Sequence, residues 1–349
     1  MAYTTINKST DYFNNKLYTG TGTSGSPFSL TGVGFAPDWV WIKRRDGAAI
    51  GHRLFDRVRG ATKYIDSSGG SAETTNTSTL TAFGSDGFTL QNEGSVNDGS
   101  ALFASFNWKA NGQGSSNTNG SINTTYTSAS ATSGFSIVQY TGTGSNATVG
   151  HGLSTAPNLV IIKRTNGTQS IRVGTGLIGW DNVLYLDTTN ASGSGATSFN
   201  STATTNQVFS VGSDTGTNGS GDPHIAYCFS DVVGYQKIGK FIGTGDANGA
   251  FVYTGFKPDW IMIKKTNETN DWKIFNSAAY PANLNGAARP LVANTTAAED
   301  TGNFYFDILS NGFKPRTGNG AVNSTDDAYL YIAVGQSLVG SNNVPCTAR

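Results

Sequence analysis

Three times along 349 residues the chain writes one nine-residue phrase: APDWVWIKR from Ala36, APNLVIIKR from Ala156 and KPDWIMIKK from Lys257. A phrase copied at this length constrains the fold strongly, because each copy must satisfy the same local physics. Proline fixes φ and lacks an N–H, so it belongs at the start of a strand and not in its middle. The residues that follow, Trp39-Val40-Trp41-Ile42, Leu159-Val160-Ile161-Ile162 and Trp260-Ile261-Met262-Ile263, are apolar at every position. A strand with one wet face would alternate. Continuous runs predict strands covered on both faces: one by the unit's own core, the other by a second layer, a neighbouring unit or another subunit. The basic pairs Lys43-Arg44, Lys163-Arg164 and Lys264-Lys265 then mark where each strand emerges into water, with contact to an anionic glycan as the functional alternative.

Other landmarks recur in the same order. YTGTG at Tyr18 and Tyr140, and FIGTG at Phe241, precede the phrase's proline by 17 to 19 residues. KYID at Lys63, LYLD at Leu184 and PLVA at Pro290 follow it. Next come SDGFTL at Ser85, NQVFSV at Asn206 and SNGFKP at Ser310, and each unit closes on an aromatic run at Ala101, His224 or Ala328. Tandem duplication explains this pattern. The expected organisation is an N-terminal docking segment (1–16), repeat one (17–110), a linker (111–135), repeat two (136–235), repeat three (236–335) and a C-terminal tail (336–349). The linker is read from ANGQGSSNTNGSINTTYTSASATSG, whose Gly, Ser, Asn and Thr content predicts flexible coil. Tyr12 and Phe13 in the first segment suggest docking to other subunits.

Within a unit, apolar runs of four to eight residues alternate with Gly, Asn, Asp and Ser clusters, as in a sandwich. The Asp-Gly pair in RRDGAA at Arg44 is a hairpin signal, and HRLFDRVRGATKYI has room for one helical turn. Hydrophobic residues make up only 37% of the chain, but 19 Phe, 14 Tyr and 6 Trp supply large buried surfaces. The fold expected is all-β: three tandem homologous, jelly-roll-like β-sandwich domains, standing either around a pseudo-threefold axis or in line along a shaft.

Charge balance excludes two partner classes. With 23 basic and 23 acidic residues, the chain lacks the cationic excess that a nucleic-acid surface or a polybasic membrane patch requires. No stretch approaches 18 apolar residues and no apolar leader opens the chain, so neither membrane insertion nor signal-peptide export is expected. Cys228, inside an apolar run, reads as a small buried hydrophobe, and Cys346 lies near the C-terminus. The histidines His52, His151 and His224 fall at non-equivalent points of the units, without zinc-ligand spacing. Asp326-Asp327 is the one adjacent acidic pair after residue 300. No P-loop, EF-hand loop or nucleophile elbow is present. No catalytic, metal or cofactor-binding residue is assigned, and the distinctive residues are spread over three frames, as in scaffolds and multivalent binders.

The segments INKSTDYFNNKLYTGTG, GFAPDWVWIKRR, LFDRVRGATKYIDSSGGSAETTN with FGSDGFTL, AYCFSDVVGYQKIGKFIGTG and GFKPDWIMIKKT together resemble a family of repeat-bearing proteins. These are virion structural or tail-associated proteins of tailed bacteriophages, notably marine ones and those infecting cyanobacteria. The resemblance runs from Ile6 to about Gly335 and brings no catalytic residues with it. It implies a non-enzymatic virion component: a tail fibre, tail-tip or host-adhesion protein. The alternatives are a capsid decoration (cement) protein and a lectin-like or glycan-active module. The implied partners are other virion proteins, further copies of the chain, and a host surface glycan or protein receptor.

Overall fold

In the computed structural model, which describes residues 4–22, 26–47, 49–279, 288–300 and 306–339, each copy of the phrase forms the middle of a large antiparallel sheet. The first sheet runs Phe13–Thr19, Leu102–Trp108, Trp39–Arg44, Arg53–Asp56, Lys63–Ile65, Thr74–Thr75. The second runs Tyr126–Ser130, Phe135–Thr141, Pro223–Phe229, Leu159–Arg164, Arg172–Thr175, Asn182–Tyr185, Gly193–Ser194. The third runs Gln236–Ile242, Ala328–Gln336, Lys257–Lys265, Trp272–Asn276, Leu291–Val292. Strand order is therefore the same around the phrase in all three. Each large sheet is backed by a small one: Phe28–Leu30 with Phe88–Leu90 and Leu80–Phe83; Ala147–Gly150 with Val208–Val211; Val252–Tyr253 with Gly312–Pro315 and Phe306–Leu309. The chain is all-β and sandwich-like, and its three described α-helices are single turns.

The doubly apolar phrase now has its explanation. Side chains alternate across a strand, so Val40 and Ile42 point at unit one's small sheet and pack with Leu30, Phe88 and Leu90. Trp39 and Trp41 point the other way, into a core shared by all three units. Leu159 and Ile161, and Trp260 and Met262, join them there, while Val160, Ile162, Ile261 and Ile263 face their own small sheets. The second cover is thus a neighbouring unit of the same chain. The closing strands reproduce the layering through Trp108 and Phe106, Phe229 and Tyr227, Val334 and Ile332. Trp39 is the hub: its ring centroid lies 4.4 Å from Tyr227, 4.6 Å from Trp108 and 5.6 Å from Phe135.

Several expectations need correction. Residues 111–135 are not a free coil: Tyr126–Ser130 adds an edge strand to the second sheet, Ile122 is buried in that unit's core, and Ser128 Oγ donates to Gly112 O. A small-polar segment can pair as an edge strand because pairing uses backbone groups, and here it covers an edge that would otherwise stay open. The 1–16 segment docks on its own chain. Ile6 and Phe13 enter the shared core, Gln336 Oε1 accepts from Ser9 N at 2.7 Å, and Tyr12 meets Tyr235. HRLFDRVRGATKYI forms two strands joined by a turn, with no helix. In the tail, Gln336 ends a strand, and Cys346 lies outside the described residues.

Candidate functional site

The basic pairs do not mark strand ends in water. In register with Trp39 and Trp41, the third inward position of each phrase is Lys43, Lys163 or Lys264, and all three side chains are fully buried. A buried ammonium must find acceptors, and each finds backbone carbonyls from two units. Lys43 Nζ donates to Ile50 O within its own hairpin and to Thr296 O of unit three at 3.1 Å. Lys163 Nζ donates to Gln169 O at 2.6 Å, to Gly167 O at 3.3 Å and to Gly70 O of unit one at 2.8 Å. Lys264 Nζ donates to Asn270 O at 2.6 Å and to Thr189 O of unit two at 2.9 Å. Burial pushes each ammonium down to about 8.

A backbone bond accompanies each lysine. Glu73 N donates to Thr165 O, Ser192 N to Thr266 O and Glu299 N to Arg45 O, at 2.8, 2.7 and 2.9 Å. Segment 67–73 of unit one therefore grips unit two, 185–192 of unit two grips unit three, and 292–299 of unit three grips unit one. The contacts close a cycle.

The second basic residue of each pair is engaged inside its own unit. Arg44 pairs with Asp46 at 2.9 Å and Asp98 at 2.5 Å, Arg164 with Asp222 at 3.1 Å, and Lys265 with Glu268 and Asp327. The six cations that suggested an anionic-glycan site are all engaged within the chain, three by carbonyls and three by carboxylates.

The histidines stay apart and are structural. His151 accepts from Leu153 N at Nδ1 and meets Thr205 O at Nε2. His224 meets Asp222 O and Thr215 O and stacks on Tyr140. His52 lies between units one and three. Asp327 is consumed by Lys265, and Asp326 occupies a left-handed turn position at φ 62°. Cys228 is a buried free thiol pushed up to about 12 by desolvation, as its apolar run suggested.

One buried network had no sequence signal that repeats. Arg59 and Asp56 are paired at 2.5 Å with side chains about 1% and 0% exposed. Tyr227 of unit two donates to Asp56 Oδ2 at 2.8 Å, and Glu73 takes another Arg59 nitrogen at 3.0 Å. Burial holds the Tyr227 hydroxyl well above its ordinary range. In units two and three the residues in register with Asp56 are Thr175 and Asn276, so the carboxylate of this pair belongs to unit one alone.

Outside the seams, apolar exposure is uneven. The small sheet of unit three presents Phe251 and Tyr253 at 46% and 59% exposure, with Ile242 nearby in sequence at 53%. Aligning Leu30, Val149 and Val252, which pair with Phe88, Phe209 and Phe313, places Ser29 and Thr31, or Thr148 and Gly150, where unit three has the two rings.

These features define an all-β, sandwich-like protein whose large antiparallel sheets meet in one shared core. Among the described residues, no group of three or more His, Cys, Asp and Glu side chains is placed to hold a metal ion. Among those residues, no helix is long and apolar enough to cross a membrane. The chain belongs to the family described as Domain of unknown function (DUF7483), whose model matches residues 8–337. No curated protein matches it.

Proposed function

We propose that the chain is a non-enzymatic structural protein of a bacteriophage particle, acting as a tail-fibre, tail-tip or host-adhesion component. The observation that carries the non-enzymatic part is the cycle of seams. Lys43, Lys163, Lys264, His52 and the Arg59–Asp56 pair, the groups with most chemical potential, are all engaged in holding units together. The phage setting is supported by the phrases that resemble tail-associated proteins. On this reading the protein resides in the virion, touches other virion proteins and further copies of itself, and uses neither nucleic acid, membrane insertion nor a cofactor. Immunogold labelling of purified particles tests it: label on the tail is expected, and label absent from particles overturns it. Label spread over the head, with hundreds of copies per particle instead of a handful, replaces the tail role by capsid decoration.

A second reading, glycan binding, is favoured by Phe251 and Tyr253, since exposed rings stack on the apolar faces of sugars. Glycan-array binding that disappears in Phe251→Ser and Tyr253→Thr supports it; binding unchanged in both sinks it.

A further inference from the structure

Units one and two are joined through 111–135, and units two and three by the short turn around Val232, but no peptide segment joins unit three back to unit one. That seam is held by non-covalent bonds alone, and His52 lies inside it. Trp41 Nε1 lies 2.7 Å from His52 Nδ1, and His52 Nε2 lies 2.9 Å from Val292 O of unit three. An indole N–H can only donate and a carbonyl can only accept. The pair fixes a neutral imidazole with its proton on Nε2. A second proton would have to enter at Nδ1, against the Trp41 N–H.

We propose that His52 is an acid-sensitive latch: protonating it releases segment 292–299 from unit one while the other two seams stay closed. The surrounding charges favour this selectivity. Lys43 and Arg53 face the imidazole from its own unit, and Asp66 is occupied by Arg53 at 2.6 Å and by Ser68. From unit three, Glu299 is committed to Arg45, and Lys273 to Asp271 and Asp300. No free carboxylate on these elements is left to welcome an imidazolium. Burial, with Lys43 and Arg53, holds the imidazole well below its ordinary value. A folded value below the unfolded one means the unfolded chain binds more protons in acid, so the latch holds above the ordinary His range and weakens as pH falls below it.

The other two units fill the same position without a titratable group. Trp272 donates its Nε1 to Tyr185 O of unit two at 2.8 Å, and Ile171 makes no such bond. His151 and His224 bond within unit two, away from the three gripping segments, so they offer no route to a selective opening.

Hydrogen exchange of the full chain decides the matter by comparing 292–299 with 67–73 and 185–192 at each pH, which cancels the intrinsic pH dependence of exchange. Between about pH 7 and pH 4, segment 292–299 should loosen by at least about tenfold relative to the other two. His52→Gln keeps a donor for Val292 O and an acceptor for Trp41 but does not titrate, and it should abolish the difference. His52→Trp, copying unit three, serves if the first variant fails to fold. Parallel loosening of all three segments in the parent, or selective loosening that survives in the folded variant, overturns the latch.

Discussion

At the seam of units one and two the chain buries charge: Arg59, Asp56 and Tyr227 form a dry network beside Trp39. At the seam of units three and one the buried bonds are mostly to neutral partners. His52 meets Val292 O, Ser67 Oγ donates to Ala293 O at 2.6 Å, Asn15 Nδ2 donates to Asp259 O at 2.9 Å, and among the described residues the one carboxylate–guanidinium pair, Arg45–Glu299, sits at the rim. The two seams differ in how the chain crosses them. A tethered pair of units meets at high effective concentration, so that seam tolerates the desolvation cost of buried ions. The untethered seam has less such help, and beyond Lys43, whose counterpart every seam carries, it relies on groups that are less costly to desolvate, supplemented by the N-terminal segment laid across it.

The largest effects should come from the tethered seam. Arg59→Met leaves Asp56 buried without its cation and should cost about 3–5 kcal/mol in urea unfolding. Adding Asp56→Leu should recover much of that loss, because removing both charges removes the orphan; no recovery would mean that the network is favourable in its own right. Trp39→Ala opens a cavity at the hub and should cost about 3–5 kcal/mol. Leu159→Ala, at the equivalent position, touches fewer rings and should cost less.

The lysine level comes next and bears on all three seams. Lys163→Met leaves Gly167 O and Gln169 O without their donor, while Gly70 O still accepts from Gln169 N, and Lys43→Met likewise strips Ile50 O and Thr296 O, so losses of about 1–3 kcal/mol are expected for each. These ammoniums, held near 8, release protons before those of the unfolded chain do. From about pH 8 to the ordinary lysine range near 10.5, the unfolded chain therefore binds more protons, and stability should rise with pH. Each Lys→Met variant should flatten that rise in denaturant midpoints measured across the window. A fall in stability over the same window would mean that the carbonyl bonds to the charged form outweigh desolvation.

Much of this was legible in the phrase itself. A strand apolar at every position cannot be half wet, and the proline fixes where it begins; cover on both faces follows from those two facts, whereas the choice of a neighbouring unit over a second layer or another subunit does not. The burial of the lysines is not legible in the phrase, because a cation at a strand end is usually solvated and one carbonyl holding each of them, Thr296, Gly70 or Thr189, lies far along the chain. A signal was present: the first basic residue is lysine in all three copies, while the second varies between Arg and Lys. A position needing a compact ammonium among carbonyls does not accept a guanidinium fork. The 111–135 segment was misread because composition reports burial and not backbone pairing. Arg59 left no trace because it occurs in one unit only, and its tyrosine partner lies 168 residues away.

The smallest expected effect sharpens the contrast at the rim of the untethered seam. Arg45 meets Glu299 through two nitrogens, at 2.7 and 3.1 Å, with side chains 15% and 8% exposed. Bidentate geometry favours the pair, but its position at the edge lets water and salt compete. Arg45→Ala should therefore cost about 1 kcal/mol or less at low salt, and less again as salt rises. Because Glu299 N still donates to Arg45 O through the backbone, the seam should stay registered in the variant. Hydrogen exchange at 292–299 would then change little at neutral pH. A large increase there would mean that the untethered seam depends on its rim charges, and the division between a charged tethered seam and a neutral untethered one would fail.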